Sequence, residues 1–384
     1  MTARFPSLQQ MIAELVAEPS VSSVSPEFDM GNQGVIERLA GWLDALGFRT
    51  EVIPVSDSPF KANLIATLGE GEDGLMLAGH TDTVPYDEGK WRHDPFTVVE
   101  EDGLLYGLGT SDMKAFLAIA VDVAREVDPA RLKRPLIILA TADEESTMNG
   151  AQLLAHLGRP KARYAIIGEP TGLTPVRMHK GVAMEAIRLI GRAGHSSDPS
   201  LGINAIDGMH TVIGELMDWR RELGERYRNP AFAVPVPTLN LGHIHGGDNP
   251  NRICGLCELH FDMRLMPSME MTPLREELKQ RLGGRLHESG LHIEMRNLDV
   301  EVPAFETPAD SPLVAAAEAF TGQPARSVAF GTEAPFLQKL GIQTIVLGPG
   351  DIEQAHQPDE YLRVDRIEPM RRILGQMIER FCLQ

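Results

Sequence analysis

Between residues 35 and 48, the apolar positions Ile36, Leu39, Leu43 and Leu46 recur at helical spacing, and Gly47 then breaks the pattern. That period predicts an amphipathic helix. Residues 63–68 and 75–78 are short apolar runs bounded by glycine or proline, which is how strands read. Ser111 is placed to cap a helix over 112–127, with Phe116, Leu117, Ala120 and Val123 turned inward. Residues 135–141 are almost continuously apolar, as in a strand covered on both faces, and 165–167 and 344–347 repeat the pattern. Doubly buried strands alternating with amphipathic helices predict a layered α/β domain.

The middle of the chain has another rhythm. Residues 184–190 read as a strand, 203–223 as a helix on Ile203, Ile206, Val212, Ile213 and Leu216, and 238–244 as a second strand. Over 257–265 the alternation is clean. Cys257, Leu259, Phe261, Met263 and Leu265 share one face, and Glu258, His260, Asp262 and Arg264 share the other. Thr272 is placed to cap a helix with Pro273 in its first turn, and 291–295 form a last strand. The order β-α-β-β-α-β is the ferredoxin-like split motif. The expected architecture is a discontinuous α/β/α domain, 1–179 and 299–384, interrupted by an inserted ferredoxin-like α+β domain, 180–298.

Charge narrows the partners. The 384 residues include 36 Lys and Arg against 54 Asp and Glu, a net −18. Such a chain repels phosphate backbones and anionic surfaces, so neither nucleic acid nor membrane is an expected partner. With 43% hydrophobic and 23% charged residues the composition is globular. Three cysteines cannot build a disulfide framework. The start, MTARFPSLQQMIAELV, lacks an apolar stretch leading to a small-residue cleavage site, and no apolar run nears the roughly 20 residues of a membrane span. The expected compartment is therefore the cytoplasm. Cys254 and Cys257 have zinc-knuckle spacing, but no second pair accompanies them, and Cys257 lies on the apolar face of its strand.

Metal-binding residue types stand where the buried strands end. Residues 75–78 lead into Gly79-His80-Thr81-Asp82, and 135–141 into Asp143-Glu144-Glu145. Residues 165–167 lead into Gly168-Glu169-Pro170, and 344–347 into a loop carrying His356. Ligands of open α/β sheets bind outside the carboxyl ends of strands. These side chains, with Asp112 after the Gly107-x-Gly109 turn, can therefore share one crevice. Two imidazoles and several carboxylates suit zinc or a similar divalent ion. Each piece also has a plainer reading: a solvated loop acid or, for Asp112, a favourable charge at a helix start. Adjacent Glu144 and Glu145 would point apart on an extended chain, one toward a metal and the other toward water. Arg264 either grips a substrate carboxylate or pairs with Asp262 or Glu258 on its own face.

Seven spaced segments carry a specific resemblance: GHTDTVP (79–85), GLGTSDMK (107–114), ADEE (142–145), IIGEPT (166–171), AGHSSDP (193–199), GTEAPF (331–336) and AHQPDEY (355–361). In order, and from about residue 8 to residue 382, the chain resembles the M20 family of co-catalytic zinc amidohydrolases. The resemblance implies hydrolysis of the amide bond of a small N-acyl amino acid with two divalent ions per subunit, zinc or cobalt. His80, Asp112 and Glu169 would hold one ion, and Asp112, Glu145 and His356 the other, with Asp112 bridging. Glu144 would be the general acid–base. The Asp82 carboxylate would accept the second ring N–H of His80 and fix its tautomer. The inserted domain would act as lid and dimerisation element, and His195 from the partner of a homodimer would donate to the tetrahedral oxyanion. Asn251, Gly331 and Thr332 follow as substrate contacts, and Glu333 as the partner of a substrate ammonium.

Overall fold

Every position of Leu136–Thr141 is buried, and so is every position of Leu75–His80. Strands of this kind need cover on both faces, and these two lie parallel, side by side, inside one sheet. Tyr164–Ile167 runs parallel to Leu75–His80, and Gln343–Val346 runs parallel to Tyr164–Ile167. On the other side Phe60–Leu68 joins Leu136–Thr141 antiparallel, and Arg49–Asp57 completes a hairpin at the edge. This sheet belongs to the first of two units, Met1–Arg177 with Thr307–Arg326 and Thr332–Gln384; the second is Met178–Glu306 with Ser327–Gly331. The computed structural model describes residues 5–298 and 300–384.

Register sets the working edge of the first unit. His80 lies opposite Thr141, Ala78 opposite Ile167, and Ile167 opposite Val346. The four parallel strands therefore release their chains on one side of the sheet. Alternate residues, among them Leu75, Leu77, Ile138 and Ile166, face a core shared with the helices Leu8–Val16, Gln33–Ala45, Lys114–Ala124 and Ile367–Ile378. Each such side chain withdrawn from water contributes roughly 1.5–3 kcal/mol.

The helix expected from residue 112 starts at Lys114, and Ser111 is not its cap. The N–H groups of Ser111 and Asp112 are instead drawn to the Glu360 carboxylate, at 2.7 and 2.9 Å. All residues of Lys114–Ala124 are buried, so this is a core helix rather than an amphipathic one. Its lysine is tolerated because the Lys114 ammonium donates to the Leu15 and Glu18 carbonyls at 3.1 and 2.8 Å; burial lowers its pKa to about 7.

The second unit carries an antiparallel sheet in the order Thr238–Gly246, Leu256–Leu265, Gly181–Ile190, His292–Asn297. With the helices Ala205–Arg226 and Met271–Leu286 it is a ferredoxin-like β-α-β-β-α-β arrangement. The alternation read over 257–265 is physical: Leu259, Phe261 and Met263 pack with Val212, Leu216 and Trp219. Asn204 caps the first helix, its side chain accepting the Ile206 N–H at 2.9 Å. Thr272 caps nothing, because Met271 is itself packed in the core and the helix begins there, behind Glu270. Cys254 and Cys257 are free, buried thiols.

His179 makes the second unit sensitive to acid. Its ring is fully buried, 5.2 Å from the Phe305 ring, and its Nδ1 lies 2.9 Å from the Lys180 carbonyl, so Nδ1 donates and the ring is neutral. Burial depresses its pKa from 6.5 to about 4. Above pH 6.5 neither the folded nor the unfolded chain protonates this group; below it only the unfolded chain does, so stability falls until about pH 4. Urea unfolding of His179→Phe should therefore lose roughly 2–3 kcal/mol less than wild type between pH 7.5 and pH 4.5. Equal losses in both proteins would refute this assignment.

Candidate metal centre

Each strand end delivers a side chain. His80 closes Leu75–His80, and Glu144 and Glu145 lie in the turn after Leu136–Thr141. Glu169 follows Gly168 at the end of Tyr164–Ile167, and His356 lies in the loop after Gln343–Val346. Gly168 must be glycine because a Cβ there would enter the Phe116 ring; without one, the strand end lies against the core helix and Glu169 reaches the edge. Asp112 arrives from the loop that precedes Lys114–Ala124.

The Asp112 carboxylate stands between two imidazoles. Its Oδ1 is 3.1 Å from His80 Nε2, and its Oδ2 is 3.9 Å from His356 Nε2. Glu169 Oε1 is 3.8 Å from His80 Nε2, and Glu145 Oε2 is 3.0 Å from His356 Nε2. Among the described residues, His80, Glu144 and Glu169 offer ligand atoms within 4.8 Å of one another, and so do His80, Asp112 and Glu145. His80, Asp112, Glu144 and Glu169 are buried, whereas His356 is exposed and marks the open side. The extended chain assumed for Glu144 and Glu145 is not what forms. They sit in a turn behind Asp143, whose φ is +63°, and both carboxylates enter the cluster. Lys61 and the Ser22 hydroxyl hold the Asp143 carboxylate away from it.

Carboxylates outnumber imidazoles here, and the electrostatics show it. Burial, followed by the Asp112 charge, pushes Glu169 up to about 8. Burial and then Glu169 hold Glu144 well above the usual carboxylate range. Burial disfavours an imidazolium at His80, yet the Asp112 and Glu169 carboxylates outweigh it and raise His80 well above its ordinary value. The hydrogen bond to Glu145 takes His356 to about 9. Such a cluster lacks positive charge at its centre. Glu169 Oε1 is also buried without a hydrogen-bond partner, an acceptor with no donor. Imidazole nitrogens and carboxylate oxygens in this number fit divalent ions of the zinc, cobalt or manganese kind.

Asp82 meets His80 chiefly through its main chain. His80 Nδ1 faces the Asp82 main-chain oxygen at 3.0 Å, while the carboxylate Oδ1 stands 3.8 Å away. The carboxylate is drawn instead to the Glu145 N–H, which Oδ2 accepts at 3.0 Å. Nδ1 thus faces a carbonyl, which in a neutral, ion-bound ring would leave Nε2 as the ligating nitrogen, and the Asp82 carboxylate holds the Glu145 N–H.

The proposed substrate residues scatter more widely. Arg264 pairs within its own strand, Nε to Asp262 Oδ2 at 3.0 Å. Glu258 is taken by Arg188 and His260 at 2.6 and 2.7 Å. His195 is exposed in the second unit, its Nδ1 2.7 Å from Ser197 Oγ. Asn251 is exposed in the same unit, and its carbonyl accepts the Ser196 N–H at 3.0 Å. A Cβ on Gly331 would meet Val302 at 3.2 Å, and the buried Thr332 hydroxyl accepts the Ala334 N–H at 3.2 Å. Glu333 is buried. It is 1% exposed, its Oε2 accepts from Thr141 Oγ1 at 2.9 Å, and burial raises it to about 7. Its Oε1 is buried without a hydrogen-bond partner.

Glu360 escaped the sequence reading. It is buried, and both its oxygens accept main-chain N–H groups of the 109–112 loop. Burial pushes it up to about 8 against the pull of those amides. The available cue was the run GLGTSD, whose successive N–H groups call for an anionic acceptor.

Residues 76–380 match the family model described as peptidase family M20/M25/M40. Over 379 residues the chain is 51% identical to the acetylornithine deacetylase of Pasteurella multocida (strain Pm70), covering 99% of each chain. Over 382 residues it is 50% identical to the acetylornithine deacetylase of Edwardsiella ictaluri (strain 93-146), covering 100% of each. Among solved structures, a dinuclear metal-binding peptidase of the M20 family from Bacillus subtilis superimposes with a TM-score of 0.67 at 16% identity, over 96% of each chain. Aminopeptidase PepT from Bacillus cereus superimposes with a TM-score of 0.76 at 22% identity, over 97% of each. Likeness at these low identities concerns the fold.

Proposed function

The chain belongs to peptidase family M20/M25/M40, and from that premise we propose that it is a metal-dependent amidohydrolase that converts N2-acetyl-L-ornithine and water into L-ornithine and acetate. The observation that carries this reading is identity near 50% over the full chain to relatives named acetylornithine deacetylase. The proposed setting is arginine biosynthesis in the cytoplasm. None of the described helices is long and apolar enough to cross a membrane.

His80, Asp112 and Glu169 are the proposed holders of one ion, and Asp112, Glu145 and His356 of the other. The two oxygens of Asp112, each facing a different imidazole, support a bridging role. When bound, a pair of zinc or cobalt ions supplies Lewis acidity toward the scissile carbonyl and makes water acidic near neutral pH. Glu144 takes a proton from the attacking water as its oxygen bonds to the acetyl carbon. The same carboxyl then returns that proton to the ornithine nitrogen as the C–N bond breaks. Burial and neighbouring carboxylates hold Glu144 well above the usual carboxylate range, the direction that suits a general acid–base. His195 of a second copy is the proposed donor to the tetrahedral oxyanion, a contribution of about 3 kcal/mol in comparable sites. The unit Met178–Glu306 is then the dimerisation element. Arg264, released from Asp262, is the proposed grip on the substrate carboxylate, with Asn251, Gly331 and Thr332 as further contacts.

Rates on a panel of N-acyl amino acids test the assignment. N2-acetyl-L-ornithine should exceed N2-acetyl-L-citrulline and N-succinyl-L,L-diaminopimelate in kcat/KM by at least about 10-fold, the scale set by a few kcal/mol of side-chain and acyl discrimination. A preference for the succinyl substrate would overturn it.

A further inference from the structure

Asp112 owes its position to a residue far away in sequence. The loop before Lys114–Ala124 turns its N–H groups toward one point, and the Glu360 carboxylate fills that point. Gly109 N–H donates to Oε2 at 2.9 Å, while Ser111 and Asp112 N–H donate to Oε1 at 2.7 and 2.9 Å. The Gly107 N–H adds a bond to the Glu360 main-chain oxygen at 3.0 Å. Just beyond, Tyr361–Arg363 pairs antiparallel with Leu104–Tyr106. Gly109 has φ +84°, and a Cβ on it would meet Lys114 and Thr83 at 3.1 Å. The loop is therefore a built concavity for an anion, a nest whose occupant comes from the protein itself.

The same Glu360 lies four residues past His356. One short segment thus carries the imidazole that faces Asp112 Oδ2 and the carboxylate that holds the Asp112 backbone. We propose that Glu360 is a positioning residue that fixes the Asp112 carboxylate between the His80 and His356 imidazoles and so sets the spacing of the two ion positions; this rests on the two-ion reading above. Glu360 touches neither substrate nor ion and acts only through Asp112.

The chemistry of the nest makes the proposal testable. Glu360→Gln keeps the shape but turns one acceptor into a donor. Its amide NH2 must then face either the Gly109 N–H or the Ser111 and Asp112 pair, and that contact opens. Glu360→Asp keeps both acceptors on a shorter stem. Zn(II) is titrated into each purified full-length chain against a chromophoric chelator, and the Co(II)-loaded forms are compared by electron paramagnetic resonance. Wild type should bind two ions and, with Co(II), show spin coupling between them. In Glu360→Gln the tighter ion should bind as in wild type, the second should weaken by about 10- to 100-fold, and coupling should fade. The kcat should drop with little change in KM, and Glu360→Asp should fall between the two. A merely architectural Glu360 would lower the melting temperature yet leave both affinities and the coupling intact, and that result overturns the proposal. Should Glu360→Gln fail to fold, wild-type second-ion affinity in Glu360→Asp overturns it equally. If wild type itself binds fewer than two ions, the two-ion reading fails first.

Discussion

Glu144→Gln should lower kcat by about 10²- to 10⁴-fold, the span typical of a lost general acid–base, while the protein still binds its full complement of ions. The amide is nearly isosteric and stays in a buried turn whose neighbours, Asp143 pinned by Lys61 and Glu145 bonded to His356, are untouched. What disappears is the one carboxyl in the proposal that takes a proton from water and returns it to the amine. KM should change little, because Glu144 is given no part in holding substrate. Acetate release measured beside metal content by elemental analysis separates the outcomes. A variant retaining wild-type turnover would remove Glu144 from the chemistry. One that loses both turnover and metal would make Glu144 a ligand, a role its closeness to His80 and Glu169 keeps in view.

Asp112→Asn should be the most damaging single change, with activity down by at least about 10³-fold and metal content reduced from two ions to one or fewer. A carboxylate can turn an oxygen toward each of two cations, whereas an amide has one oxygen and a pair of N–H donors. The geometry supports this use of both atoms, since Oδ1 faces His80 and Oδ2 faces His356. In the variant the main-chain N–H at this position would still be held by Glu360, so the fold should survive and far-ultraviolet dichroism should match wild type. Two tightly held ions in Asp112→Asn would contradict the bridging assignment.

Much of this was legible because it depends on patterns local to the chain. The continuously apolar runs at 135–141 and 165–167 could only be strands covered on both faces, and such strands direct their carboxyl ends to a common edge. The clean alternation over 257–265 likewise matched a sheet with one buried face. Illegible features depended on groups distant in sequence or on the main chain. Arg49–Asp57 mixes exposed and half-buried positions as an edge strand does, so its period is blurred. Ser111 reads as a helix cap, whereas its N–H goes to Glu360; the run GLGTSD calls for an anion, but nothing local says that the anion is a carboxylate 249 residues away. The hydrogen bonds of Asp82 and Glu333 are illegible for a related reason. Sequence shows that an acid is present, but its partner is decided by packing, here the Glu145 amide and the Thr141 hydroxyl.

The place of Gln343–Val346 in the sheet also has a consequence for how the protein is made. It lies between Tyr164–Ile167 and the strand that begins at Val176, although the ribosome delivers it long after both. At about 5–20 residues per second, roughly 10–35 seconds pass between synthesis of these two neighbours and its own. The Met178–Glu306 stretch, nearly all of whose pairings lie within itself, can fold in that interval. The first unit meanwhile waits with an open slot beside the apolar strand Tyr164–Ile167, an exposure that parallel, long-range pairing makes slow to close. Its yield in cells should therefore depend on how well that nascent slot is shielded, more than on the stability of the finished sheet.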